Sequence, residues 1–281
     1  MRIINSIQEM QTEAERLRRQ GQRIGFVPTM GYLHEGHLSL VRIAQRHADV
    51  VVMSIFVNPT QFGPTEDYNE YPRDFDRDVA LATSAGCHII FNPSVTDMYP
   101  ENYLTFVEVE RITSVLCGRS RPTHFRGVTT IVTKLFHIVK PHVAIFGQKD
   151  AQQALVIRRM VQDLNFDIEI VVAPIMREKD GLAMSSRNIY LTPEQRQQAV
   201  ALYQALMMAK TLIENGERNA QIIKDHIRQH IERLAAATID YIEIVDTAHL
   251  QPLTTLNGEV LIALAVKIGK PRLIDNIIVT V

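Results

Sequence analysis

An α/β chain is predicted here: a Rossmann-like parallel sheet with helices on both faces, then a smaller C-terminal α+β domain. Strand-like and helix-like stretches alternate through residue 176. Within that alternation "VVVMSIFV" at 50–57 is apolar but for Ser54, the pattern of a strand covered on both faces. Beyond residue 176 the alternation gives way to two long helical patterns and a run of strands, which sets domains of 1–176 and 177–281.

Ser6-Ile7-Gln8-Glu9 reads as a capping box opening a helix that Gly21 stops. A strand is expected at 24–29, then the turn "PTMGYLHEGH", then a helix from Gly36 to Ala48 and the strand at 50–57. Strand, helix and strand in this order make a βαβ unit. "YPRDFDRDVALATSAG" reads as a helix ended by Gly86, and "HIIFNP" as the next strand. A helix over 126–140 is stopped by Pro141, followed by a strand at 142–147, a helix at 150–164 and a strand at 166–174. Right-handed crossovers then gather the strand-to-helix turns along one sheet edge, where ligands bind. After the polar linker "REKDGLAMSSRN", a helix over 192–215 is capped by Thr192 with Pro193 in its first turn. A further helix over 218–236 precedes the strands "IDYIEIVD", "EVLIALAVKI" and "NIIVTV". No internal repeat or low-complexity segment is visible.

The chain has 281 residues, a formal net charge of −1 and 46% apolar residues. That balance excludes disorder and any general attraction to nucleic acid or anionic membrane, so phosphate binding must be local. Two cysteines, Cys87 and Cys117, cannot build a disulfide framework and fit a reducing compartment. The opening "MRIINSIQEM" lacks the apolar stretch of a signal peptide, and no run approaches ~18 apolar residues. A soluble, cytoplasmic protein is expected, with no nucleic-acid or membrane partner.

Four segments hold residues suited to chemistry. His34 and His37 flank Gly36 where a strand hands over to a helix, whose free N–H groups and dipole favour an anion. The same spacing also fits a solvated turn and, less well, a metal site, since zinc helices prefer histidines four apart. "FGQKD" at 146–150 puts Lys149 within reach of phosphate, and lets Asp150 either cap a helix or hold a ribose. Gln153 lies one turn on. "MSSR" at 184–187 suits a lid over polyphosphate or an ordinary linker. "FVNPTQF" at 56–62 places Asn58 and Gln61 as neutral donors beside a nucleotide, or as a plain turn. The "RDFDRD" run at 73–78 reads as a solvated helix face, with Asp76 or Asp78 able to assist a metal ion.

Together, "PTMGYLHEGH", "SIFVNPTQF", "HFRGV", "FGQKD" and "DGLAMSSRN", in this order, resemble the pantoate–β-alanine ligase family of the HxGH nucleotidyltransferase superfamily, over essentially the whole chain. The resemblance implies ATP-dependent joining of (R)-pantoate to β-alanine through a pantoyl adenylate, with release of AMP and pyrophosphate. It also implies Mg²⁺ and a cytoplasmic homodimer. By matching motif, ATP would be bound by Met30, Gly31, Tyr32, Leu33, His34, Glu35, Gly36 and His37. Gly147, Gln148, Lys149, Asp150, Met176, Met184, Ser185, Ser186 and Arg187 would complete that site. His37, His34, Lys149 and Arg187 would be catalytic, and Gln61, Gln153 and Asn58 would serve pantoate and β-alanine. The metal ligands stay unassigned. Tyr32 stands where many members have alanine, and Arg187 must supply the mobile charge that lysine gives in the superfamily's KMSKS loop. Rival readings are another nucleotidyltransferase of the superfamily, a non-catalytic nucleotide sensor and a tRNA-synthetase fragment.

Overall fold

A computed structural model of the chain describes residues 1–64 and 66–281. In chain order the elements are β1 (Arg2–Ile4), α1 (Ile7–Arg19), β2 (Ile24–Thr29), α2 (Glu35–Ala44), β3 (Val50–Ile55), α3 (Phe75–Ser84) and β4 (Ile89–Phe91). Then come α4 (Val95–Met98), α5 (Cys117–Ser120), α6 (His124–Val139), β5 (Val143–Gly147), α7 (Ala151–Asp163) and β6 (Glu169–Ala173). The rest holds α8 (Pro193–Ala199), α9 (Ala201–Glu214), α10 (Ala220–Ile231), β7 (Ala237–Asp246), β8 (Glu259–Ile268) and β9 (Arg272–Thr280). Single 3₁₀ turns lie at Pro59–Gln61, Gln148–Asp150 and Ser186–Tyr190.

The first six strands form one parallel sheet in the order β1-β4-β3-β2-β5-β6. Alternate residues of each strand face opposite layers. Val50 and Val52 join a core with residues of α1, α6 and α7, while Val51, Met53 and Ile55 join one with α2 and α3. The predicted helices on both faces are therefore present. The order reverses between β2 and β5, so the turns leaving these two neighbours open onto one crevice.

The last three strands form an antiparallel sheet, β7-β8-β9. One of its faces carries Ile242, Ile244, Val260, Ile262 and Leu264 into a core with α8, α9 and α10. Its other face sends Tyr241, Val245, Leu261 and Ala263 into the core of the parallel-sheet unit. The small sheet is thus packed on both sides. Among the described residues no helix is long and apolar enough to cross a membrane.

Some local expectations change. Ser6 caps α1 by accepting the Glu9 N–H at 3.4 Å, but Glu9 does not complete a capping box; its carboxylate pairs with Arg2 at 2.8 Å. The helix expected over 192–215 is interrupted at Val200, although Thr192 caps it and Pro193 opens it as read. Three-residue β1 has no counterpart in the sequence reading.

Candidate active site

The turn after β2 is built around a buried carboxylate. Gly31 and Tyr32 both adopt positive φ, +83° and +49°. This left-handed pair is unfavourable for Tyr32 and turns two successive N–H groups inward. Asp78 of α3 accepts them, Tyr32 N–H at 2.7 Å and Leu33 N–H at 2.6 Å. Asp78 is 1% exposed, so the sequence reading of a solvated helix face fails at this residue. Burial raises its pKa, and the two backbone donors work against that rise. The Tyr32 ring itself lies under the Arg77 guanidinium, 5.1 Å from it.

His34 is the N-cap of α2. Its Nδ1 accepts the Gly36 N–H at 3.1 Å, and His37 Nδ1 accepts the His34 N–H at 3.3 Å. A ring nitrogen that accepts carries no proton, so in both imidazoles the proton sits on Nε2. The rings lie 4.1 Å apart, and both line the cavity at the switch point. Gly36 makes this possible: a Cβ there would meet His34 Cε1 at 2.8 Å. Burial, helped by the Lys149 charge, lowers the His34 pKa to about 4. His37, partly buried, is pushed well below the ordinary value by burial, then by His34 and Lys149. Both histidines are therefore neutral Nε2–H donors near pH 7, not cations.

The turn after β5 faces them. Lys149 and Asp150 line the cavity, with Nζ 3.7 Å from the carboxylate. Asp150 precedes α7 but makes no side-chain cap bond, so its oxygens stay available to a ligand. Asn276 of β9 holds the turn by donating Nδ2 to the carbonyls of Gln148 at 2.9 Å and Lys149 at 3.0 Å.

After β3, the 3₁₀ turn presents Gln61. Buried Asn58 donates Nδ2 to Gln61 Oε1 at 2.9 Å and to Gly127 O at 3.1 Å, and accepts the Tyr99 hydroxyl at 2.8 Å. With its Oε1 engaged, Gln61 offers a ligand its Nε2 donors. Gly127 of α6 permits this approach, since a Cβ would stand 2.2 Å from Thr60 O. The Gln61 carbonyl accepts Arg121 Nη2 at 3.0 Å and faces His124 Nδ1 at 2.9 Å. Burial, then the Arg121 charge, lowers the His124 pKa to about 4. The neutral ring donates from Nδ1 and keeps Nε2 as an acceptor.

Met184 N–H donates to Met176 O at 3.0 Å, folding 176–184 back so that both methionines line the cavity. Ser185 accepts the Arg187 N–H at 3.3 Å, and the Ser186 hydroxyl lies 3.1 Å from that of Tyr71. Arg187, expected as a mobile charge, is bound by Asp67 through two hydrogen bonds of 2.9 and 3.0 Å.

Of the residues singled out in the sequence, Met30, His34, Gly36, His37, Gln61, Gly147, Lys149, Asp150 and Gln153 share one cavity wall with Met176 and Met184 to Arg187. Gly31, Tyr32, Leu33, Glu35, Gln148 and Asn58 are not on that wall. Leu33 is core, Glu35 pairs with Arg42, and Asn58 orients Gln61 from behind. The sequence reading misses Arg121, His124, Tyr71 and the supporting carboxylates Asp78, Glu66 and Asp67. "HFRGV" stands out as a motif, but nothing in its pattern marks His124 as a partner of the Gln61 carbonyl. Cys87 and Cys117 are both buried and unpaired with each other, as a packing role requires.

Such an arrangement can take an anionic, phosphate-bearing ligand beside a smaller hydroxylated one. Lys149 supplies positive charge, a helix N-terminus and two neutral imidazoles supply directed donors, and Gln61 supplies an amide.

Comparison with known proteins gives full-length likenesses. Residues 2–278 match the sequence model of the family described as pantoate-beta-alanine ligase. A pantothenate synthetase from Thermotoga neapolitana is 59% identical over 278 residues, 99% of each chain. The crystal structure of pantothenate synthetase from Thermus thermophilus superposes with a TM-score of 0.94 at 44% identity, covering 99% of both chains. A pantoate–β-alanine ligase from Francisella tularensis, crystallised with β-γ ATP and β-alanine, is 38% identical with a TM-score of 0.80 and covers 99% of this chain and 97% of its own.

Proposed function

Because the chain belongs to the pantoate–β-alanine ligase family, and is a ligase joining pantoate to β-alanine, we propose that it activates pantoate on ATP as an acyl adenylate. The pantoate carboxylate attacks the α-phosphate in line, pyrophosphate leaves, and the β-alanine amine then displaces AMP. The observation carrying this reading is the opposition of Lys149 to the neutral His34–His37 pair in one cavity at the switch point. The Francisella relative crystallised with β-γ ATP and β-alanine supports the choice of nucleotide and amine.

Two anions must meet here, and the residue types suit that task. Neutral amides, Gln61 and Gln153, hold a hydroxy acid without quenching the carboxylate that must attack. The Nε2–H groups of His34 and His37 and the α2 N-terminus stabilise charge on the α-phosphate. Lys149, Ser185, Ser186 and Arg187 meet the phosphates that depart, with Asp150 towards the ribose. Arg121, which shares the Gln61 carbonyl with His124, is the cation suited to the β-alanine carboxylate.

Mg²⁺ would enter with the nucleotide and neutralise its phosphates. Among the described residues no three His, Cys, Asp or Glu side chains converge, so the ion would be held chiefly by phosphate oxygens, with Asp150, which makes no cap bond and lies 3.7 Å from Lys149, the carboxylate on the wall nearest to them. Residues 177–281 are proposed as a lid domain keeping water from the adenylate; supporting this, they own a separate core and lend Asp275 and Asn276 to the wall. A homodimer is favoured by the segment 103–110, which belongs to no helix or strand and leaves Leu104 87% and Phe106 40% exposed. Two buried, unbridged cysteines accord with a cytoplasmic location.

Lys149→Ala tests the assignment. Adenylate formation from ATP and pantoate should fall at least ~10²-fold, the scale of a lost charged donor. Attack of β-alanine on supplied pantoyl adenylate should be nearly native, because pyrophosphate has already gone. Equal damage to both half-reactions would contradict the reading.

A further inference from the structure

Two adjacent carboxylates, Glu66 and Asp67, each grip one arginine of the cavity wall. Arg121 donates Nε to Glu66 Oε1 at 2.7 Å and Nη2 to Oε2 at 2.6 Å. Arg187 donates Nε to Asp67 Oδ2 at 2.9 Å and Nη2 to Oδ1 at 3.0 Å. The geometry is the same in both pairs: the carboxylate takes the Nε–Nη2 edge of the fork and leaves the Nη1 end. On Arg121 that end approaches, among the described residues, only Cys117 Sγ, at 3.9 Å. Both arginines line the cavity, and neither carboxylate does.

The placement separates two roles. A carboxylate that competed with substrate for an arginine would stand in the cavity in front of it. Glu66 and Asp67 stand behind, where a two-point bond fixes the plane of each guanidinium and its free end points elsewhere. Both pairs are shielded, with side-chain exposures of 16% and 25% for Arg121–Glu66 and 26% and 22% for Arg187–Asp67. Burial opposes ionisation of each carboxyl, but its guanidinium outweighs that and holds the pKa below the ordinary value. The arginines come from distant parts of the chain. Arg121 belongs with Gln61 and His124, and Arg187 with Ser185 and Ser186.

We infer that the Glu66–Asp67 dipeptide is a positioning device for the ligation, one loop setting Arg121 on the acid and amine side and Arg187 on the nucleotide side at the same time. Neither carboxylate touches substrate; each acts through its arginine. A single loop with two neighbouring grips keeps the two guanidinia in register, and so keeps the nucleotide aligned with the acid it activates. This inference rests on the proposed placement of the nucleotide beside Arg187.

Two double-mutant cycles on the full-length protein test it, with Asp67→Ala and Arg187→Ala in one, and Glu66→Ala and Arg121→Ala in the other. Asp67→Ala should slow pantoate-dependent pyrophosphate exchange into ATP by about ten- to a hundred-fold, the scale of misplacing one reacting group, with thermal midpoint little changed. In the Arg187→Ala background it should cost nothing further. Glu66→Ala should raise the KM for β-alanine, and again add nothing once Arg121 is alanine. Asp67→Glu, which keeps the charge, should recover part of the lost exchange; Asp67→Asn serves if the alanine variant does not fold. Losses that add in full within each cycle, or an Asp67→Ala enzyme with native exchange, would overturn the positioning role. Native exchange by Arg187→Ala would instead overturn the nucleotide placement itself, and the inference with it.

Discussion

The backbone N–H of His34 donates to Nδ1 of His37 at 3.3 Å, so the first histidine of the motif sets the tautomer of the second. His34 is set in turn by the Gly36 N–H. Each ring is thus left with one proton, on Nε2, and burial keeps it from gaining another. The motif delivers two uncharged, oriented donors at a helix N-terminus, and leaves positive charge to Lys149.

Substitutions at His37 should separate the cap from the donor. Asparagine places its polar atoms near Nδ1 and retains the cap, whereas glutamine reaches toward Nε2. His37→Asn should therefore keep native stability and lose at least ~10²-fold in turnover, while His37→Gln loses less. Steady-state rates with thermal melts on both variants check this; equal loss in the two would place the effect in the cap.

Acid should weaken the fold through these histidines. His34 and His124 have pKa values lowered to about 4, and His37 is also lowered, against about 6.5 in the unfolded chain. Between pH 6.5 and 4 the unfolded state therefore binds more protons than the folded state, and stability falls as pH falls. Above about pH 7 these groups contribute no slope. Urea midpoints should drop from pH 7.5 to pH 5.0, and the pH–rate profile should lack a histidine limb from His34 or His37 between pH 6 and 8. An unchanged midpoint at pH 5.0 would contradict the buried neutral state.

Asn58 should behave as part of Gln61. Its amide engages Gln61 Oε1 at 2.9 Å, which turns the Nε2 donors toward the cavity. Asn58→Ala and Gln61→Ala should each raise the KM for pantoate, with a smaller effect on ATP, and the double variant should be no worse than Gln61→Ala. Asn58→Ala should also destabilise by ~1–3 kcal/mol through the unpartnered groups left in its place. A variant impaired only towards ATP would contradict this placement.

Much of this arrangement is readable from local pattern, and the limit is physical. Strands covered on both faces, such as β3, are nearly continuous apolar runs, broken there only by Ser54, and the β2 and β8 spans stand where the pattern puts them. The histidine and lysine turns are readable because strand, turn and helix are neighbours in sequence. β1 is not, since three residues carry no period and its parallel partner is β4, far along the chain. The supporting polar groups are hidden for the same reason. Asp78 reads as solvated because its partners Tyr32 and Leu33 are 46 and 45 residues away, and Asp67 meets Arg187 across 120. Residues that touch a ligand often sit in recognisable turns; residues that orient them are found only once the chain has folded.

Which bond of ATP breaks decides the matter most directly. The enzyme should be given ATP, pantoate and labelled pyrophosphate, with β-alanine left out. If pantoate is adenylated, label enters ATP only when pantoate is present, and adding β-alanine then releases AMP in step with the amide product. ADP as the stoichiometric product, with no label entering ATP, would contradict adenylation even though the ligated product was made.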